Sequence, residues 1–248
     1  MDKRLGWGDV PAVKVSVIVP AFNEEKLIAE SLDCINNARA AFASSELVVC
    51  DNNSTDQTAE LARAAGASVV FEAENMIARA RNAGAAASHG DWLVFVDADS
   101  RPTRRLFEEA ATAIANPTCL GGGCPIQFMG GPWWARSAAA GWNVVGRLNG
   151  WAAGSFLFCI REAFEAVGGF ATDRYAGEEI FLSHRLKQWG RAHNRKMRIL
   201  RTPMETSPRK AELYSPWECV SIPLRTALSL GRNLKRREAC RMWYDGRR

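Results

Sequence analysis

The chain has 248 residues, of which 47% are hydrophobic and 24% are charged. This composition is typical of a folded globular protein with one large or two small domains, and it excludes a disordered chain or a collagen-like repeat. The net charge of +5 arises in residues 224–248, a segment rich in lysine and arginine. Leucines and aromatic residues are interleaved with these charges. This basic amphipathic tail predicts contact with an anionic membrane surface or, less favoured, with nucleic acid, and a solvated terminal helix is the alternative.

Cysteine usage indicates a reducing compartment. The seven cysteines are odd in number and lack Cys-x-x-Cys spacing, which predicts free thiols within a core. The longest uncharged stretch, residues 110–135, is interrupted by prolines and glycines, so no membrane-spanning helix is expected there. The chain is therefore predicted to be cytoplasmic and able to associate peripherally with the inner face of a membrane.

Strands and helices are predicted to alternate through the first half of the chain. Residues 15–19 form a β-branched run closed by Pro20, which predicts a strand buried on both faces. A helix should follow, with Asn23 as its cap and Glu24 in its first turn. The alternation predicts an α/β fold with a mostly parallel sheet and helices on both faces. The further predicted strands lie at residues 47–50, 68–71 and 92–96, and the further helices begin at Ser54, span residues 76–88 and begin near Thr103.

The alternation breaks after residue 116, where three successive glycines and a segment rich in tryptophan and alanine follow. Order resumes with a strand predicted at residues 155–160, followed by residues 162–167, a Gly-Gly pair and a helix predicted over residues 178–189. These changes predict two halves of one domain, residues 1–116 and residues 117–223, followed by the tail at residues 224–248.

Two acids follow the predicted strand at residues 92–96. Ligands collect at the carboxyl ends of the strands in an open parallel sheet, so acids at such an end are candidates for a binding site. Asp97 and Asp99 offer hard oxygen ligands to Mg²⁺ or Mn²⁺, and the phosphates of a diphosphate substrate would fill the remaining positions of the ion. The alternative is that Asp99 or Ser100 only caps the next helix.

Three further groups have both a chemical and a structural interpretation. Asp51 could accept hydrogen bonds from a base or ribose, or it could only initiate a turn. Arg81, with Arg79 beside it, could bind a phosphate through its guanidinium fork, or it could be a solvated helix charge. Glu178 or Glu179 could deprotonate a hydroxyl, or both could stabilise the N-terminus of a helix.

Tryptophans are dense between residues 133 and 151. They could line a hydrophobic acceptor groove, lie at a membrane interface or pack in the core. The four residues are Trp133, Trp134, Trp142 and Trp151.

The order of these segments resembles that of family 2 glycosyltransferases, inverting nucleotide-sugar-dependent enzymes of the GT-A fold. The resemblance extends from about residue 15 to residue 190, and it depends on the ordered spacing of several strings rather than on any one of them. Those strings are VSVIVPAFNEE, VVCDNNSTDQT, ARARNAGAAASHGDWLVFVDADS, GSFLFCIREAFEAVGGF and GEEIFLSHRLKQWGR.

The resemblance implies a role for each matching residue on the donor side. Asp97 and Asp99 match the DxD motif of the family, in which they would hold the ribose and a Mn²⁺ or Mg²⁺ ion that bridges the donor diphosphate, with Asp99 the direct ligand. Arg81 would lie near the base or the diphosphate. The base and ribose of a UDP- or GDP-sugar would contact Pro20, Ala21, Phe22, Asn23, Glu24 and Asp51.

On the acceptor side, the resemblance implies that Gly154 and Ser155 contact a lipid-linked or small-molecule glycan. Glu179 matches the acid that deprotonates the acceptor hydroxyl, although the family commonly has Glu-Asp where this chain has two glutamates, so Glu178 could share that role. No QxxRW follows, which implies transfer of a single sugar. Arg209 and Lys210 could close on the diphosphate.

Two other functions remain open on the sequence alone. A sugar-phosphate nucleotidyltransferase also uses an α/β nucleotide-binding domain with metal-holding aspartates, but its glycine-rich, arginine-containing opening loop is replaced here by Pro-Ala-Phe-Asn-Glu-Glu. A non-catalytic nucleotide-sugar-binding protein at a membrane surface would fit the basic tail and the unusual Glu179.

Overall fold

Strands and helices alternate along most of the molecule. The computed structural model describes residues 13–152, 154–218, 221 and 232–244. The strands are β1 (Lys14–Ala21), β2 (Ser44–Asp51), β3 (Ser68–Phe71), β4 (Trp92–Val96), β5 (Ser100–Arg101), β6 (Cys119–Gly123), β7 (Ile126–Phe128), β8 (Phe156–Ile160), β9 (Lys196–Ile199) and β10 (Met204–Thr206). The helices are α1 (Ile28–Arg39), α2 (Thr58–Ala64), α3 (Ile77–Ala86), α4 (Arg104–Ile114), α5 (Trp133–Asn149), α6 (Arg161–Ala166), α7 (Glu178–Ala192) and α8 (Arg209–Leu213), with single helical turns at Arg232–Lys235, Arg237–Cys240 and Arg241–Tyr244.

One large sheet organises the fold, with the strand order β3-β2-β1-β4-β8-β6-β9. β1 is parallel to β2 and β4, β2 is parallel to β3, and β6 is parallel to β9. Only β8 runs antiparallel to its neighbours β4 and β6. The predicted α/β fold with a mostly parallel sheet is therefore confirmed. A small second sheet has the order β5-β10-β7.

The central strands are apolar at almost every position because the sheet is covered on both faces. Val17 and Val19 of β1 pack into the core formed with α1 and α4, whereas Ile18 packs on the opposite face with α3, α6 and α7. Burial of one such side chain contributes about 1.5–3 kcal/mol. This packing holds the ends of β1 and β4 in fixed positions, and the loops that follow them share one edge of the sheet.

Two predicted helix starts in the first half are wrong. α1 begins at Ile28 rather than next to Asn23, and α2 begins at Thr58 rather than near Ser54. Asn23 has a positive φ of 51° and its side-chain oxygen accepts a hydrogen bond from the backbone N–H of Thr55. Asn23 therefore joins the loops after β1 and β2 instead of capping a helix.

Residues 117–151 contain more regular secondary structure than we predicted from the break in the alternation of strands and helices. The successive glycines belong to β6, a buried strand between β8 and β9. The tryptophan- and alanine-rich segment forms α5, a helix of 17 residues. The glycines could not be recognised as a strand because sequence alone does not reveal how closely neighbouring strands approach.

The described part of the C-terminal tail folds back onto the body. Leu234, Cys240 and Tyr244 are buried in a cluster with Ala176, and Tyr175 donates its backbone N–H to the carbonyl of Leu234 at 2.7 Å. The expectation that Leu234 and Tyr244 face a membrane is therefore wrong, since both are used in internal packing. Residues 224–231 and 245–248 of the predicted tail lie outside the described residues.

Cysteines and helix lengths complete the description of the fold. The six cysteines among the described residues are free thiols, and all but Cys34 are buried. Cys219 lies outside the described residues. No helix in the described ranges combines the length and the hydropathy needed to cross a bilayer.

The close contact at β6 leads to a stability prediction for Gly122→Ala. A Cβ atom at Gly122 would lie 1.8 Å from the backbone oxygen of Arg198 on β9, so the strands would have to separate. We expect the free energy of unfolding to fall by about 1–3 kcal/mol, as for overpacked cores. Urea denaturation would measure the change. The matched control is Gly141→Ala in α5, where no atom lies within 4 Å of the added Cβ, and it should raise stability by up to about 1 kcal/mol.

Candidate active site

A single cleft lies at the carboxyl ends of β1, β2 and β4. It encloses about 750 Å³, including the solvent at its mouth. Most of the residues singled out in the sequence line it, although they come from distant parts of the chain. Those residues are Pro20, Ala21, Phe22, Glu24, Arg81, Asp97, Asp99, Gly154, Glu178, Glu179, Arg209 and Lys210.

Three predicted site residues lie beside the cleft rather than on its wall. Asn23 joins two loops, as described above. Asp51 is buried at the end of β2, where its Oδ1 atom accepts the backbone N–H of Ser54 at 3.0 Å, so it does form the turn that was its structural alternative. Ser155 is buried next to Gly154, and its hydroxyl has no hydrogen-bond partner among the described residues.

The two aspartates after β4 do not cap a helix. α4 is capped by Thr103, whose hydroxyl accepts the backbone N–H of Leu106 at 3.3 Å. Asp99 instead directs its carboxylate into the cleft, where Oδ2 lies 3.6 Å from Nη2 of Arg209. Burial raises the pKa of Asp99 to about 6, although Lys210 opposes the shift. The structure thus gives the pair a position in the cleft and no capping role.

Arg81 is the central charge of the site. Its Nη1 atom donates to Oε1 of Glu178 at 2.8 Å, and its Nη2 atom donates to Oδ1 of Asp97 at 2.8 Å and to the carbonyl of Gly154 at 3.0 Å. The side chain is almost fully buried, and its Nε atom has no partner among the described residues. Arg81 therefore connects three segments of the chain and is not a solvated helix charge.

The two glutamates at the start of α7 differ in their surroundings. Gly177 has a φ of 72° and precedes the helix, so Glu178 and Glu179 occupy its first turn. Glu178 is paired with Arg81, and burial raises its pKa. Glu179 lines the cleft near Gly154, and burial, reinforced by the neighbouring Glu178 carboxylate, raises its pKa to about 8. Glu179 is thus a half-buried acid, and among the described residues it lacks the direct ion pair that Glu178 forms.

Arg209, at the start of α8, reaches the loop after β1. Its two Nη atoms donate to the two carboxylate oxygens of Glu24, both at 2.8 Å. This bidentate pair brings together residues 185 positions apart. The ion pair therefore holds the segment after β1 next to the segment after β10.

The acids of the cleft outnumber its bases. Glu24, Asp97, Asp99, Glu178 and Glu179 line it together with Arg81, Arg209 and Lys210. Among the described residues, however, no three His, Cys, Asp or Glu side chains are grouped so that they could hold a metal ion by themselves. The excess of carboxylates suits a cation, and a substrate would have to complete its coordination.

Several lining residues were not singled out in the sequence. Asn52 is held at the wall of the cleft by two hydrogen bonds. Its side chain accepts the N–H of Met76 at 2.8 Å and donates to the carbonyl of Glu74 at 2.7 Å. Its position after β2, next to Asp51, is the signal that could have indicated it. Ile77, Ala98 and Gly177 also line the cleft, and no chemical signal in the sequence marks them.

Tryptophans do not line the cleft in the described part of the chain. Trp142 stacks against Trp151, with ring centroids 6.4 Å apart, on the inner side of α5. Trp133 is exposed at the start of that helix. The predicted acceptor groove of tryptophans is therefore wrong for this pair, which packs within the protein.

Residues 16–180 match the family model described as Glycosyl transferase family 2. The chain is 26% identical over 195 residues to glycosyltransferase AglE of Haloferax volcanii, covering 71% of this chain and 62% of that protein. It is 36% identical over 118 residues to glucosyl-3-phosphoglycerate synthase of Mycobacterium tuberculosis, covering 42% of this chain and 36% of that protein. The chain therefore spans less than two thirds of the length of these curated relatives.

Solved structures share the fold. The mannosyltransferase PcManGT of Pyrobaculum calidifontis, in complex with GDP-Man and Mn²⁺, superposes with a TM-score of 0.63 at 24% identity, covering 94% of this chain and 65% of that one. Glucosyl-3-phosphoglycerate synthase of M. tuberculosis, in complex with Mn²⁺, UDP and phosphoglyceric acid, gives a TM-score of 0.61 at 21% identity, covering 87% and 76%.

Proposed function

Because the chain belongs to glycosyl transferase family 2, we propose that it transfers a single sugar from a nucleoside-diphosphate sugar to an acceptor hydroxyl, with inversion at the anomeric carbon. The observation that carries the proposal is the convergence of Asp97, Asp99, Arg81 and Glu179 on one cleft from three separate segments. The donor is a UDP- or GDP-sugar, and the acceptor is a small molecule or a lipid-linked glycan. The complexes of PcManGT and of the mycobacterial synthase support a nucleotide donor.

Donor binding is assigned to the loops after β1, β2 and β4. Pro20, Ala21 and Phe22 form the wall against the base and ribose. Asp51 has one carboxylate oxygen on the Ser54 N–H, but an ionised carboxylate can accept further donors from a base. Arg209 and Lys210 line the same cleft and supply positive charge for the diphosphate.

A divalent cation fits the carboxylates of the cleft. Asp99 and Asp97 provide hard oxygen ligands, which Mg²⁺ and Mn²⁺ prefer. Five acids line the cleft together with three bases, and a bound divalent ion would favour the ionised form of the acids that it contacts. When bound, the ion would act as a Lewis acid on the departing diphosphate. The solved complexes with Mn²⁺ or Mg²⁺ support this assignment.

Glu179 is assigned as the general base. It lines the cleft, whereas Glu178 is held by Arg81 at 2.8 Å. A raised pKa suits a group that must take a proton from a hydroxyl near neutral pH. Gly154 lies beside it and would help to orient the acceptor, together with the adjacent Ser155.

The chemistry that follows is an in-line displacement. Glu179 removes the proton of the acceptor hydroxyl, whose oxygen attacks the anomeric carbon on the face opposite the leaving diphosphate. Arg209 and Lys210 stabilise the charge that develops on the diphosphate. No covalent sugar-protein intermediate is needed, so the configuration at the anomeric carbon inverts. The missing QxxRW sequence supports transfer of one sugar per acceptor.

A thermal-shift screen tests donor binding. UDP, GDP and their sugars should raise the melting temperature in the presence of Mn²⁺, because a ligand that binds only the folded state stabilises it. Failure of every nucleotide to do so would contradict the proposal. In a turnover assay, release of a nucleoside diphosphate identifies sugar transfer, whereas release of pyrophosphate would identify a nucleotidyltransferase.

Asp99→Asn tests the cation site. We expect the concentration of Mn²⁺ needed for the nucleotide-dependent thermal shift to rise at least about tenfold, the smallest loss usual when the surroundings of a metal ligand are changed. Asp33→Asn on the exposed face of α1 is the matched control and should behave as the unmodified protein does. An unchanged Mn²⁺ requirement in Asp99→Asn would remove Asp99 from the site.

A further inference from the structure

The outer face of α5 carries apolar side chains that no described residue covers. Trp133 is 73% exposed, Val144 is 60% exposed and Leu148 is 82% exposed. Together with Ala140 they recur at helical spacing, and we call these four residues the outer stripe. α5 has 17 residues and is therefore about 25 Å long. Several large apolar side chains exposed on one helix face mark an interaction site, unlike apolar residues scattered singly.

The inner face of α5 is fixed to the body, so the outer stripe cannot turn inward. Its buried residues Ala135, Ala139 and Gly146 are small and let the helix lie close to its neighbours. Asn143 anchors it to β7, because its side chain accepts the N–H of Ile126 at 2.8 Å and donates to the carbonyl of the same residue at 2.9 Å. The outer stripe therefore stays on the outer side of α5, where a partner can bind it.

The charge around the outer stripe favours an anionic partner. Arg136 and Arg147 are exposed on α5 at one edge of the stripe. The sequence contains no aspartate or glutamate from residue 110 to residue 161. A second copy of α5 would therefore offer these arginines no carboxylate, whereas the phosphates of anionic lipid headgroups would pair with them.

Both ends of α5 lie next to the cleft, so a partner bound to this helix would be close to the site. At the start of the helix, Gly131 packs against Pro208, which directly precedes Arg209. At its end, Gly150 terminates the helix four residues before Gly154. Since Arg209 and Gly154 both line the cleft, α5 connects two segments of its wall.

We propose that the outer stripe of α5 docks on a bilayer that contains anionic lipids. Trp133, Val144 and Leu148 enter the boundary between headgroups and acyl chains, where tryptophan and aliphatic side chains of interfacial helices reside. Arg136 and Arg147 contact the lipid phosphates. The proposal concerns binding alone and stands whether or not the cleft transfers a sugar.

Co-sedimentation with vesicles tests the proposal without any substrate. The protein should bind vesicles of phosphatidylcholine mixed with phosphatidylglycerol more tightly than vesicles of phosphatidylcholine alone. The double variant Val144→Glu/Leu148→Glu should bind at least about tenfold more weakly, because two apolar contacts are replaced by charges that anionic lipid repels. Arg136→Gln and Arg147→Gln should each weaken binding to the anionic vesicles about fivefold, with little effect on the neutral ones.

The matched control is Phe71→Glu, which charges an apolar side chain that is 63% exposed on β3 at the far edge of the sheet and should bind as the unmodified protein does. Thermal unfolding verifies that each variant is folded. Equal binding of the Val144/Leu148 variant and the unmodified protein would overturn the proposal, as would the absence of vesicle binding. The proposal would also be overturned if the unmodified protein formed a dimer and did not bind vesicles, while the Val144/Leu148 variant were a monomer. That result would identify a second copy of the chain as the partner of α5.

Discussion

Glu179→Gln should lower the rate of sugar transfer about 100- to 10,000-fold, the usual contribution of a general base. Glutamine has nearly the same shape but cannot take a proton from the acceptor hydroxyl. Because Glu179 forms no described ion pair with the donor-binding residues, the affinity for the nucleoside-diphosphate sugar should change little. The measurement is kcat with a saturating donor, together with the dissociation constant of the donor from thermal shifts.

Glu178→Gln is the matched variant. Glu178 is paired with Arg81, so its replacement should mainly lower the free energy of unfolding, and the folded fraction should retain most of its turnover. The reverse result, with turnover lost in a stable Glu178→Gln protein and kept in Glu179→Gln, would assign the base to Glu178.

The pH dependence of the reaction follows from the same group. The pKa of Glu179 is raised from 4.5 to about 8 by burial and by the Glu178 carboxylate. A base must be deprotonated, so kcat/KM should rise with pH until about 8. The effect on stability has the opposite sign: a folded-state pKa above the unfolded one gives stability that is complete below pH 4.5 and is lost as the pH rises to about 8.

The first half of the fold could be predicted because its signals are local. The strand predicted at residues 92–96 coincides with β4, because a short continuous apolar run favours a strand that is buried on both faces of a sheet. α5 could not be predicted from the same kind of pattern. Several of its large apolar side chains are exposed, whereas its buried residues are small, which differs from the pattern expected for a surface helix.

The candidate site divides in a similar way. Positions after strand ends indicated Asp97 and Asp99, because parallel strands bring their carboxyl ends to one edge. The pairing of Arg209 with Glu24 spans 185 residues, and no spacing rule reaches that far. The burial of Arg81 also could not be derived from spacing alone, since Arg79 on the same helix is half-exposed and pairs with Glu72 and Glu74.

Arg81→Met should lower the free energy of unfolding by about 3–5 kcal/mol, the usual cost of removing one partner from a buried ion pair. Methionine keeps an unbranched side chain but leaves the carboxylates of Glu178 and Asp97 without their shared cation. Urea denaturation, analysed for both midpoint and slope, would measure the loss. Arg79→Met is the matched control and should cost less than about 1 kcal/mol, because its ion pairs are partly exposed to solvent.

A pH series separates the loss of charge from the loss of packing in Arg81→Met. Burial raises the pKa of Glu178, and its protonation in acid removes uncompensated charge, so the difference in stability between the variant and the unmodified protein should shrink as the pH falls. Arg81→Lys keeps the charge but cannot bridge both acids with a planar fork, and its stability should therefore lie between the two. A deficit that is equally large in acid would mean that Arg81 contributes through packing against Phe170, whose ring centroid lies 5.1 Å from the guanidinium carbon, and not as the charge that balances the acids of the cleft.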